Sequence, residues 1–171
     1  MTYYQDLSTC YYFGEGFGGQ AELIVAVGWL SAREDYARGS VPAVARDRLA
    51  SLLCEAWQPV SFLGSHTCQL CGGARSHRNL FLPGQGKVLV APEGILHYID
   101  NHGYLPPQEF IRAVLSCPPM GSQDYFRALV REGGLRWSED LGLPESSRVG
   151  PADQEPAQRR DEADEARDEQ T

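Results

Sequence analysis

Hydrophobic and polar positions fall into short strand-like runs in the first half of the chain and helical stripes in the second. Residues 22–29 (Glu-Leu-Ile-Val-Ala-Val-Gly-Trp) form a β-branched apolar run, the pattern of a buried strand. Ser40-Val41-Pro42 then opens a helix, with serine as a cap and proline in the first turn. Its apolar stripe is Ala45, Leu49, Leu52, Leu53 and Ala56, and Pro59 stops it. Residues 60–63 read as a further strand. Residues 79–82 and 87–90 flank Pro83-Gly84-Gln85-Gly86, which predicts a β-hairpin with a four-residue turn.

Three more helices are expected. The first opens at Pro92 and runs to about Asn101, burying Ile95, Leu96, Tyr98 and Ile99, so that His97 falls on the opposite face. The second starts at Pro106-Pro107 and carries Phe110, Ile111, Val114 and Leu115. The third starts near Ser122 and carries Tyr125, Phe126, Leu129 and Val130. The pattern predicts an α+β fold: a small antiparallel sheet, a zinc-knuckle hairpin and about four helices. A compact domain is expected over residues 1–140, followed by an acidic tail over 141–171.

Composition changes the picture mainly at that end. The 171 residues carry a net charge of −8, of which residues 145–171 supply −5. That segment has almost no large apolar side chain, so it cannot offset the entropy of ordering and is expected to be disordered. No basic footprint exists to drive nucleic-acid binding. No apolar run of about 18 residues exists to span a membrane. Met1-Thr2-Tyr3-Tyr4-Gln5-Asp6 lacks the basic-then-apolar order of a signal peptide, which points to the cytoplasm. The five cysteines are odd in number and include one close pair, against a disulfide framework; Cys10, Cys54 and Cys117 read as small apolar residues. The glycine-rich residues 14–19 are not followed by the Lys-Ser/Thr pair of a phosphate loop.

The chemistry concentrates in His66-Thr67-Cys68-Gln69-Leu70-Cys71-Gly72-Gly73. Two cysteines two residues apart, followed by glycines that let backbone amides approach sulfur, form a metal knuckle. Such a site needs four ligands. In an extended approach residues 66 and 68 project to one side, which selects His66. His97, facing away from the core, can reach a second surface. The expected set is therefore His66, Cys68, Cys71 and His97, holding Zn2+. His102 is read instead as interacting with the carbonyls of its helix end, and His77 as a loop residue. A redox role for the cysteine pair fits less well, because glycines rather than a helix N-terminus follow it. Glu93 shares a helical face with His97 and is the candidate general base of a catalytic site. The cytidine-deaminase and zincin patterns are absent.

Several segments also resemble a bacterial family of small domains without an assigned function. They are Tyr3-Tyr4-Gln5-Asp6-Leu7-Ser8, Val27-Gly28-Trp29-Leu30, the His66-x-Cys68-x-x-Cys71 knuckle, Ala91-Pro92-Glu93-Gly94-Ile95-Leu96-His97-Tyr98-Ile99, His102-Gly103-Tyr104-Leu105-Pro106-Pro107 and Cys117-Pro118-Pro119-Met120. The similarity spans about residues 3–130. It implies that the knuckle and the His-Tyr helix belong to one module. The expected function is a non-catalytic, zinc-stabilised interaction or regulatory protein of adaptor or immunity type, with an unidentified protein partner. The alternative is a small zinc-dependent hydrolase with Glu93 as base.

Overall fold

A computed structural model describes residues 3–14, 21–58 and 65–133. A single helical turn, α1 (Tyr11–Gly14), and a 3-10 turn (Ala21–Leu23) lead into β1 (Ile24–Ala26). After α2 (Ala43–Cys54) come a small ribbon, β2 (His66–Thr67) and β3 (Arg75–Ser76), and a hairpin, β4 (Asn79–Gly84) and β5 (Lys87–Pro92). Three helices close the described chain: α3 (Ile95–His102), α4 (Gln108–Ser116) and α5 (Gln123–Gly133). The fold is α+β. The expected strand at residues 60–63, most of the glycine-rich segment and the acidic tail lie outside the described residues.

The main sheet has the order β1-β5-β4 and is mixed rather than wholly antiparallel. β4 and β5 form the expected hairpin, but β1 runs parallel to β5, from Ile24 against Val88 to Ala26 against Val90. The uninterrupted apolar run of β1, buried at every position, is the signature of a strand covered on both faces. β1 is also shorter than expected, because Gly28 takes a left-handed conformation (φ 74°) and gives its N–H to Asp6 Oδ1 at 2.9 Å. Trp29 stays beside β5 through its indole N–H, which donates to the Val90 carbonyl at 3.0 Å.

The hairpin turn has two residues, Gln85 and left-handed Gly86, instead of four, since Gly84 already pairs with Lys87. Pro83 sits within the ladder opposite Val88. It is tolerated there because β4 is an outer strand and needs no donor on its free side. Likewise Pro92 ends β5 opposite Asn79 rather than opening α3, which starts at Ile95 after a turn through Glu93 and Gly94.

α4 and α5 cover the hairpin. Tyr125 is wholly buried and donates its hydroxyl to the Phe81 carbonyl at 2.8 Å. Trp57 packs edge-on against Phe126 (5.1 Å between centroids), and Phe13 does the same on Phe81 (5.1 Å). Ser122 caps α5, its Oγ accepting the Tyr125 N–H at 3.1 Å. α2 begins after Pro42 without a side-chain cap, and Ala45, Leu49, Leu52 and Leu53 form its buried stripe. On α4 the core face includes Ala113, while Leu115 stays exposed.

Candidate metal centre

The knuckle is built by backbone hydrogen bonds between β2 and β3. The Cys68 N–H donates to the Ala74 carbonyl at 2.8 Å, and the Gly72 N–H returns to the Cys68 carbonyl at 2.8 Å. Gly72 is left-handed (φ 70°), which reverses the chain. The Gly73 N–H then donates to Cys71 Sγ at 3.3 Å, and a Cβ on Gly73 would stand 3.4 Å from that sulfur. Cys68 is buried and Cys71 exposed, so the turn presents one thiol from inside the domain and one from its edge.

α3 faces this turn with two histidines. His97 Nε2 lies 3.3 Å from Cys71 Sγ, and His102 Nε2 lies 3.5 Å from Cys68 Sγ. The two Nε2 atoms are 3.2 Å apart. One ligand atom from each of Cys68, Cys71, His97 and His102 falls within 4.8 Å of every other. Of the residues expected from sequence, Cys68, Cys71 and His97 are thus together, and His102 joins them. His66 lies outside the group. β2 ends at Thr67, so the alternation that would put residues 66 and 68 on one side stops before the first cysteine.

His66 Nε2 instead meets the Tyr98 hydroxyl at 2.9 Å. Burial, then the nearby Cys68 and Cys71, holds the Tyr98 phenol above its usual range, and burial holds His66 below the ordinary imidazole range. Both groups stay neutral and the pair pins β2 to α3.

His102 is free to face the knuckle because other groups finish its helix. Gly103 is left-handed (φ 63°), and the Tyr104 N–H closes back on the Tyr98 carbonyl at 3.1 Å. Arg38 Nη1 and Tyr36 Oη donate to the His102 carbonyl at 2.9 and 3.3 Å. Burial, then His97 and Arg38, lowers the His102 pKa, which favours the neutral ring a metal requires. One signal in the sequence does mark His102: Cys-x2-Cys followed by His-x4-His falls within the spacing of Cys2His2 zinc sites.

A family model described as a domain of unknown function, DUF7919, matches residues 2–115. The chain belongs to this family. All four members of this Cys2His2 group lie inside the matched segment, and α5 lies beyond it. No curated protein and no solved structure matches the chain.

Elsewhere in this DUF7919 chain, Glu93 is occupied by the link between β3 and β4. Its carboxylate accepts from the Arg78 guanidinium at 3.0 and 3.3 Å and from the backbone N–H groups of His77 and Arg78 at 3.2 and 3.4 Å. Burial alone would raise its pKa, but these donors hold it below the usual carboxylate range. Neither Glu93 nor the exposed His77 belongs to the group. Cys10 and Cys117 are buried, and burial pushes the Cys117 thiol up to about 11; Cys54 is exposed. Among the described residues no helix is long and apolar enough to cross a membrane.

Proposed function

We propose that Cys68, Cys71, His97 and His102 hold one Zn2+ in a closed structural site, and that the domain is a non-catalytic interaction or regulatory module. The carrying observation is the size of the group. Zinc bonds of about 2.3 Å to sulfur and about 2.0–2.1 Å to nitrogen imply tetrahedral edges of about 3.3 Å between nitrogens and about 3.6 Å between nitrogen and sulfur. The observed separations are 3.2 Å between the imidazoles and 3.3 and 3.5 Å from sulfur to nitrogen. Four side-chain donors leave no position for a substrate or water, which is the difference between structural and catalytic zinc.

The hydrolase alternative needs a free general base. Glu93 is a weak base with both carboxylate oxygens engaged, which supports the non-catalytic reading. The partner in this reading is a protein, since a net charge of −8 disfavours the phosphate backbone of nucleic acid. The thiolate ligands fit a reducing compartment, the cytoplasm.

The test is elemental analysis of untagged, reduced protein together with X-ray absorption at the zinc edge. The expected result is about one zinc per chain with two sulfur and two nitrogen neighbours. A metal ratio near zero overturns the reading. Zinc with three protein ligands and an oxygen transfers the case to the hydrolase.

A further inference from the structure

We propose that Asn101 is the positioning residue that sets the His97 ring for metal capture. The inference rests on the zinc reading and concerns what sets half-buried His97 beside the exposed thiol of Cys71. Asn101 follows His97 by one helical turn on α3, and its amide lies 2.9 Å from His97 Nδ1. The amide nitrogen also lies 3.3 Å from the His97 carbonyl oxygen. His97 Nε2 is the atom turned toward Cys71 and His102.

For a neutral His97 ring these positions allow two arrangements of protons. With the amide N–H2 facing Nδ1, Nδ1 accepts, and the ring carries its proton on Nε2. That ring donates toward Cys71 Sγ or His102 Nε2 and has no lone pair for a metal. A ring that ligates through Nε2 carries its proton on Nδ1 and must donate there. Only the oxygen end of the amide can accept that proton. A His97 ring that ligated through Nε2 would therefore carry its proton on Nδ1, exchanged through solvent, and the Asn101 amide would present its oxygen there. No bond other than the two N–H bonds changes in this step.

The side-chain contacts that Arg38 and Tyr36 make at His102 are to its carbonyl, so Asn101 acts on the ring of His97 alone. Asn101 is exposed and sits on a helix surface, so alanine is accommodated there without loss of packing. An aspartate at this position supplies a permanent acceptor, as in the carboxylate–histidine–zinc arrangement.

The experiment uses the full chain and its Asn101→Ala and Asn101→Asp variants. Zinc affinity is measured by competition with a chromogenic chelator, and the His97 tautomer by long-range proton–nitrogen NMR on the zinc-loaded protein. Asn101→Ala should weaken zinc binding by about 10- to 100-fold, and Asn101→Asp should restore or exceed the original affinity. The zinc-loaded parent should carry the His97 proton on Nδ1, in slow exchange that Asn101→Ala abolishes. The proposal is overturned if Asn101→Ala binds zinc as tightly as the parent, or if zinc-loaded His97 carries its proton on Nε2. A parent chain that binds no zinc removes the closed-site reading and this inference together; a parent that binds, with an unaffected Asn101→Ala, removes the inference alone.

Discussion

His66 and His102 lie at opposite ends of the same question, and exchanging each for alanine separates them. Structural zinc contributes about 10–16 kcal/mol to small domains, so an even share for one of four ligands is about 2.5–4 kcal/mol. His102→Ala should therefore weaken zinc binding by roughly two to three orders of magnitude. The helix itself should persist, because Ile95 and Tyr98 remain buried and Gly103 still terminates it. His66→Ala removes no member of the group. It leaves the Tyr98 hydroxyl, on a side chain 1% exposed, without its 2.9 Å partner. A buried polar group so stranded costs about 1–3 kcal/mol, or roughly 3–10 °C in thermal midpoint for a domain of this size. His66→Ala should thus lower the midpoint in the presence and absence of zinc alike. His102→Ala should lower it mainly in zinc. Chelator competition and differential scanning calorimetry on both variants give the answer. Loss of zinc by His66→Ala, with full retention by His102→Ala, would refute the assignment of the fourth ligand.

Glu93→Gln should destabilise the domain by about 1–2 kcal/mol through its lost charged hydrogen bonds and leave zinc affinity unchanged in the chelator assay. Because the folded Glu93 pKa is depressed, its contribution is present above the ordinary carboxyl range and lost as pH falls through the folded value. Urea titrations below about pH 4.5 should therefore show a steeper acid loss in the parent than in the variant. Asp6 has the opposite sign: burial raises its folded pKa despite the Gly28 and Tyr104 hydrogen bonds, so its contribution is lost as pH rises from about 4. Asp6→Asn keeps an acceptor for both donors, and its stability in urea should be less pH-dependent and no lower than the parent's at pH 7. Gly28→Ala should cost about 2–4 kcal/mol in the same assay, from the left-handed backbone and a Cβ that would stand 2.8 Å from the Ile95 side chain. Gly72→Ala, with open space around it, should cost only about 1–2 kcal/mol.

Much of this was legible in periodicity. The stripes of α2, α4 and α5 point inward largely as their spacing requires, and the hairpin of β4 and β5 lies where the Pro-Gly-Gln-Gly segment suggests. The departures have local causes. Pro83 reads as part of the turn and Pro92 as a helix start, yet Pro83 sits on outer strand β4 and Pro92 is the last residue of β5, beyond its pairing with β1, so that neither missing N–H leaves a gap in the ladder. The parallel β1–β5 pairing depends on a contact far along the chain, which local alternation does not encode. In the candidate metal site the cysteines were evident from their spacing. The histidines were harder because residues five apart do not share a face on an ideal helix. His97 and His102 converge only because the knuckle sits over the end of α3, where Arg38 and Tyr36, from outside that helix, take over the terminal carbonyl. That division of labour between a ring and its own backbone is invisible to a helical wheel.

The parallel pairing also fixes an order of events during synthesis. β1 is an end strand of the main sheet whose strand partner is the central β5, and that pairing cannot form until residues 88–90 exist, 64 positions later. At about 5–20 residues per second, the apolar segment Ile24–Ala26 waits roughly 3–13 s beyond the ribosome exit without its neighbour. The stretch from β2 to α3, by contrast, carries all four donors within 35 consecutive residues and can close on itself as soon as it emerges. The nascent chain is therefore most open to self-association before the knuckle is made. A ribosome-bound chain cut at residue 80 should be the species that chaperones hold, and one extended past Tyr104 should release them.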